Sequence, residues 1–177
     1  YCQTLAGSGK QYDINNQQVS GNKALNKFID FNIGTNDVAN MHLGQVDHQI
    51  NLVQKRIDID GVVNAIKNNQ IGGDVYFFSD KGIAVGANGV FNVGRLTLGT
   101  NAAYGEALFN GKMDKHLQSS ALEQARAVSG DSDISLKGKI YAQGDVILGA
   151  SQILLEKGEI RTHIDNAGIY ADKKSAQ

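Results

Sequence analysis

The feature that most constrains this chain is a pattern of very short apolar bursts with a period of two, broken by Gly, Asn and Asp and never by Pro. Ile57-Asp58-Ile59, Val75-Tyr76-Phe77-Phe78, Ile83-Ala84-Val85, Val90-Phe91-Asn92-Val93 and Leu96-Thr97-Leu98 each read as a strand of three to five residues. Between them stand Asp60-Gly61, Gly72-Gly73-Asp74, Asp80-Lys81-Gly82, Gly86-Ala87-Asn88-Gly89 and Gly94. These gaps have no room for a crossover helix, and the strands are too short for a sandwich of ordinary hairpins. From residue 134 to 164 the same unit recurs as Ile134/Leu136, Ile140/Ala142, Val146/Leu148 and Ile153/Leu155, followed by Ile160 and Ile164. Three strand-plus-turn units make a coil of about 20 residues, within the range of solenoid repeats.

The expected fold is therefore all-β: a right-handed parallel β-helix with an N-terminal antiparallel cap and one short flanking α-helix. Residues 1–177 read as a single domain, with a cap region over 1–45, coils over 46–111 and 130–170, and a helical excursion over 112–129. There is sequence for about seven coils. The expected core comprises Ile57, Val75, Phe77, Ile83, Val85, Val90, Leu96, Leu98, Ile140, Val146 and Ile153, one face of each strand. In the cap, Ile14, Val19, Phe28, Phe31 and Ile33 are expected on short antiparallel strands that cover the first open edge. In the excursion, Met113, Leu117 and Ala121 fall at helical spacing. Ser120-x-x-Glu123 matches a capping box and Ser129-Gly130 supplies a stop, so a helix is expected over about Ser120–Val128.

Composition narrows the function classes. Gly makes up 21 of the 177 residues and Pro none, whereas average usage of about 5% Pro would supply roughly nine. Corners must then be turned by residues that tolerate positive φ. Seventeen basic and 18 acidic residues leave a net charge of −1 without a run of five like charges, which argues against a nucleic-acid partner. No apolar run approaches 18 residues, so no integral membrane segment is expected. Tyr1 reads as a mature or trimmed end, and residues 172–177 as a truncation point. The lone Cys2 fits a cytosolic protein with one thiol and equally an exported one that avoids disulfides.

Chemistry-bearing residues are few. Asp58 and Asp60, at i and i+2, offer paired carboxylates of the kind that perform acid/base work in polysaccharide-cleaving β-helices, without an accompanying Lys/Arg cluster. A solvated face ending in an Asp-Gly turn is the simpler account. His42, His48, His116 and His163 lack metal-ligand spacing and are expected on the surface or in the cap. Gly7-Ser8-Gly9-Lys10 lacks the strand and spacing of a phosphate loop. No catalytic residue, cofactor or metal is expected.

Two longer motifs bear a resemblance. NKFIDFNIGTNDVANM (Asn26–Met41) resembles the segment F-x-x-F-x-V-x-x-G-x-x-A-N-F near the start of secretion domains of the two-partner secretion family, the filamentous haemagglutinin-type adhesins and haemolysins. GDVYFFSDKGIAVGANGVFNVGRLTLGT (Gly73–Thr100) resembles that domain's second signature, and DIDGVVNAIKNNQIGG resembles the coil between the two. Where the family commonly has Asn-Pro-Asn-Gly, this chain has Ser79-Asp80-Lys81-Gly82, which resembles a branch of leukotoxin-type filamentous adhesins.

The resemblance implies an N-terminal secretion domain without enzymatic activity. Such a domain crosses the periplasm unfolded and docks on the POTRA modules of a dedicated outer-membrane β-barrel transporter. It then folds at the cell surface as a monomer, ahead of a C-terminal region that engages a host-cell or matrix receptor. It implies Asn32, Asn36, Asn40, Ser79, Asp80, Lys81 and Gly82 as candidates for recognition by the transporter. The alternative is a β-helical polysaccharide-cleaving enzyme or carbohydrate-binding module.

Overall fold

A computed structural model of the chain describes residues 2–5, 9–162 and 168–171. His163, Ile164, Gly7, Ser8 and the polar end 172–177 lie outside the described residues. The strands are β1 (Cys2–Leu5), β2 (Gln11–Ile14), β3 (Gln18–Ser20), β4 (Lys23–Ile33), β5 (Val38–His42), β6 (His48–Val53), β7 (Ile57–Ile59), β8 (Val62–Lys67), β9 (Gln70–Ile71) and β10 (Asp74–Phe78). They continue as β11 (Ile83–Val85), β12 (Val90–Val93), β13 (Arg95–Gly99), β14 (Asp133–Leu136), β15 (Lys139–Ala142), β16 (Val146–Ala150), β17 (Gln152–Leu154), β18 (Glu159–Thr162) and β19 (Gly168–Ala171).

Pairing is almost wholly parallel and falls into three ladders. One runs β4-β6-β10-β13-β16-β19, a second β4-β7-β11-β14-β17, and a third β2-β5-β8-β12-β15-β18. The eleven-residue β4 bends from the first ladder into the second. Its Lys23–Phe28 half pairs with β6, and Asn32 and Ile33 pair with Asp58 and Ile59 of β7. Each strand of a ladder therefore follows its neighbour by one circuit of the chain. His48 opposes Asp74, and Asp74 opposes Arg95. Among the described residues five circuits are complete, β4–β5, β6–β8, β10–β12, β13–β15 and β16–β18, with β2 preceding them in the third ladder and β19 following them in the first.

Register aligns one face of each ladder into columns. Ile57, Ile83, Ile134 and Ile153 form one, and Val63, Phe91 and Ile140 another. Together with Phe28, Phe31, Phe77 and Leu98 they make one buried apolar core. Phe28–Phe31, Phe31–Phe77 and Phe77–Phe91 meet edge-on at ring separations of 5.1, 5.2 and 5.7 Å, the geometry aromatic quadrupoles favour. Ten of the eleven expected core residues are buried; Val90 is not. Parity decides this: Val90 stands opposite Val62 and Lys139 on the outer side, and its neighbours Phe91 and Val93 point inward.

Corners of successive circuits approach very closely. A Cβ on Gly61 would lie 2.4 Å from the carbonyl oxygens of Gly34 and Asp37, so only glycine fits there.

The expected antiparallel cap is largely corrected. Only the β3–β4 hairpin is antiparallel in this region, while β1 pairs with β4 and β2 with β5 in parallel. Phe28, Phe31, Ile33 and Ile14 are buried, but Val19 lies exposed on the hairpin.

The helical segment also differs from expectation. It starts ten residues earlier than 112, with α1 (Ala102–Ala107), a π-helical stretch (Leu108–Lys112), α2 (Met113–Gln118) and α3 (Ala121–Val128). The α3 helix lies where expected, and Ser120 Oγ accepts from the Glu123 amide at 3.3 Å. The earlier start is capped by Asn101, whose side chain accepts from the Tyr104 amide at 3.3 Å. Leu117 is exposed and the helix ends one residue later, at Gln118; Met113 and His116 are the buried residues of α2.

The segment has a packing role. It covers the outer face of the first ladder, where Leu25, Ile50, Leu52, Tyr76 and Phe78 meet Leu108, Met113 and Val128 in a second apolar cluster. That explains why Val75–Phe78 and Val146–Ala150 lack polar alternation: these strands are covered on both faces.

Candidate functional site

The candidate recognition residues fall in two places. The first is the turn joining β4 to β5. Asn36 sits there at φ 73°, exposed, in the left-handed region that Asn tolerates. The buried anchor of this turn is Asp37, whose Oδ1 accepts from the Lys10 amide (2.7 Å) and Oδ2 from the Gly34 amide (3.0 Å). Asn32 is half-buried on the outer side of the second ladder, its side-chain Oδ1 without a hydrogen-bond partner among the described residues. Asn40 lies on the third ladder and is buried.

Asn40 belongs to an amide ladder that runs up the outer face of that third ladder. Asn92 Nδ2 donates to Asn64 Oδ1 (2.9 Å), Asn64 Nδ2 to Asn40 Oδ1 (3.1 Å), and Asn40 Nδ2 to Asp13 Oδ1 (3.2 Å). Parallel register places one Asn above the next, so each amide donates to the residue below it. Asp13 also meets His42 Nε2 at 2.9 Å, and these two contacts hold its carboxyl below the usual carboxylate range, His42 first. Sequence spacing alone does not show this column, because its members are one circuit apart.

The second place is the β10–β11 turn. Ser79 is buried and its Oγ donates to the Lys55 carbonyl at 2.6 Å. Gly82 takes φ 98°, and its amide donates to the Ser79 carbonyl at 3.1 Å. Asp80 Oδ1 accepts from the Ala102 amide at 2.8 Å, and the Asp80 carbonyl accepts from Ser132 Oγ. This turn thus pins both ends of the helical segment. Lys81 is exposed, and its carbonyl accepts from Arg56 Nη1 at 3.2 Å. Asn36 and Lys81 are the candidates whose side chains are exposed and carry no contact in these turns.

The paired acids differ in setting. Asp58 is exposed on the outer side of β7, while Asp60 lies in the corner against Gly86. Partial desolvation lifts the Asp58 carboxyl above its ordinary value; Arg56 opposes this and Asp60 adds to it. Arg56 is itself committed to Asp133 through Nη1 and Nη2 at 2.9 and 3.3 Å. Among the described residues no group of three or more His, Cys, Asp or Glu is placed to hold a metal ion. No helix among them is long and apolar enough to cross a membrane.

Two histidines expected at the surface are buried instead. His48 Nδ1 lies 2.8 Å from Asp74 Oδ2, and Tyr76 OH donates to the same oxygen at 2.7 Å. His116 of α2 packs against the Tyr76 ring, with its Nδ1 2.6 Å from Tyr104 OH. Burial drives the His116 imidazole down to about 4 and the Tyr104 phenol up to about 12. The first strands also bury amides inward: Asn26 Nδ2 donates to Asn51 Oδ1 (3.1 Å), and Asn51 Nδ2 to Gln49 Oε1 (3.2 Å) and the Tyr76 carbonyl (3.1 Å).

An open groove of about 430 Å³ lies on the third ladder beyond Asn92, lined by Ile71, Asn92, Tyr141, Gln143 and Arg161 among others. Compared with protein-family models, with curated proteins and with solved structures, the chain has no match in any of the three.

Proposed function

We propose that this chain is the N-terminal secretion domain of a large exported adhesin, of the two-partner secretion kind, and that its parallel ladders wind as a right-handed β-helix. On this reading a cognate outer-membrane barrel with POTRA modules recognises the chain, which folds outside as a monomer and nucleates the coils that follow. The supporting observation is where the two motifs fall. Asn26–Met41 forms β4 and β5 at the N-terminal end of the ladders, and Gly73–Thr100 forms β10 to β13, with the intervening coil stacked between them. A chain whose ladder strands pair with adjacent circuits can add structure circuit by circuit as it emerges from a pore. That order of assembly needs no disulfide and no catalytic centre.

The test is release of a reporter fused to this chain in cells that carry, or lack, a cognate outer-membrane barrel. Extracellular reporter that requires the barrel and its POTRA modules supports the reading. Equal release without the barrel overturns it. The second reading draws on two separate places: for carbohydrate binding, the groove beside Tyr141 on the third ladder, and for cleavage, the Asp58 carboxyl on the second. Turnover of a polysaccharide that Asp58→Asn abolishes would establish it over the first.

A further inference from the structure

The contact between the helical segment and the first ladder is built around a histidine that has no carboxylate of its own. His116 points from α2 into the sheet, almost without exposure, between the rings of Tyr76 (5.7 Å) and Tyr104 (5.6 Å). The titratable and charged groups facing it are Asp74 and Tyr76 from β10, His48 from β6, Arg95 from β13 and Tyr104 from α1. Asp74 is the one acid among them, and its Oδ2 already takes His48 Nδ1 and Tyr76 OH, with Arg95 Nη1 at 4.0 Å. The nearby Asp145 is held by Arg95 Nη2 at 3.1 Å. Glu106 of α1 pairs with Lys27 at 3.4 Å, and Asp114 and Lys115 on α2 itself are exposed. An imidazolium at His116 would face the Arg95 guanidinium with no free anion to pair with, in a site closed to water.

We infer that the helical segment Ala102–Val128 is an acid-releasable cover: protonation of His116 detaches it from the sheet and lays bare the apolar strip Ile50, Leu52, Tyr76 and Phe78. The segment follows β13, precedes β14 and contributes no strand to a ladder, so it can leave without unpairing a strand. The strip it covers is a second cluster apart from the main core, which therefore survives release. This inference stands independently of the export reading.

The direction follows from linkage. Docked, His116 stays neutral down to about pH 4; released into water, it takes up its proton near the ordinary value of 6.5. Docking is unaffected above pH 6.5 and weakens as pH falls from there toward 4. At pH 5 the released state gains about 30-fold over its population at pH 7.5.

Hydrogen exchange of the 177-residue chain reads this directly, once corrected for the pH dependence of intrinsic exchange. Protection of the amides of α1, α2 and α3 is expected to fall about 30-fold from pH 7.5 to pH 5, with β10 and β13 unchanged. In His116→Gln, which keeps a hydrogen-bonding partner for Tyr104 without a proton to gain, the fall should disappear. Equal protection at both pH values in the natural chain, or the same fall in His116→Gln, overturns the inference. If His116→Gln does not fold, NMR titration of the histidine ring resonances in the natural chain decides: a His116 that titrates near 6.5 in the folded protein refutes it, and one that stays neutral until the helix resonances move supports it.

Discussion

Replacing Asn40 and Asn36 one at a time separates a structural amide from a recognition amide, because the fold places the two residues so differently. Asn40→Ala removes the acceptor for Asn64 Nδ2 (3.1 Å) and the donor to Asp13 Oδ1 (3.2 Å). At about 0.5–1.5 kcal/mol per bond, and with Asn64 part-exposed so that water recovers some of the loss, the cost is about 1–2 kcal/mol. For a chain of this size that lowers Tm by roughly 2–8 °C.

Asn36 makes no such bonds but occupies φ 73°. Ala there costs about 1–2 kcal/mol of left-handed backbone strain, whereas Gly adopts the angle without it. Asn36→Gly is therefore expected to leave Tm nearly unchanged. If its exposed amide is read by the transporter, losing about 1 kcal/mol of hydrogen bonding lowers docking about 5-fold. The assay is secreted yield from the exported precursor, beside calorimetry of the purified domain. Yield that falls for Asn36→Gly at constant Tm, while Asn40→Ala loses yield only in step with its Tm, fits the argument. An unchanged Tm for Asn40→Ala would show that the ladder contributes nothing, and unchanged yield for Asn36→Gly removes it from any recognition surface.

Other perturbations test the packing and the charge pairs. Phe77→Ala, at a fully buried ring between Phe31 and Phe91, should cost about 3–5 kcal/mol in urea unfolding with little change in slope. Gly105→Leu should detach α1, since even a Cβ there would lie 2.5 Å from Phe78 and 2.6 Å from Leu52; the amides of the helical segment would lose exchange protection while those of the core strands keep theirs. Arg56 holds the Asp133 carboxyl below its ordinary value of 3.8, chiefly by hydrogen bonding, so this pair stabilises the fold above that pH and the effect is lost as pH falls below it. Arg56→Gln should accordingly flatten the acid limb of a stability–pH curve below about pH 4, with only a small effect at neutral pH because both groups are part-exposed.

Short alternating bursts with Gly and Asn at the corners determined by themselves that the chain is all-β and that strands too short for hairpins must pair with other circuits. They also placed ten core residues, since period two assigns one face of each strand, and the Ser120 cap marked the start of α3. Local pattern stops at the strand, however. Which parity faces in at Val90, that β1 and β2 pair in parallel rather than as a cap, and that the helical segment begins at Ala102 were decided by register against strands one circuit away.

The same holds for the polar groups. Asn40, Asn64 and Asn92 are 24 and 28 positions apart, and His48 and Asp74 are 26 apart; nothing in their neighbours joins them until parallel stacking brings each directly over the last. His116 shows the limit most plainly. In the sequence it is one polar residue of an amphipathic turn, and only the sheet beneath it removes its water and commits the nearest carboxylate to other donors. Burial and charge company are tertiary properties, so the chemistry of that contact exists only in the folded chain.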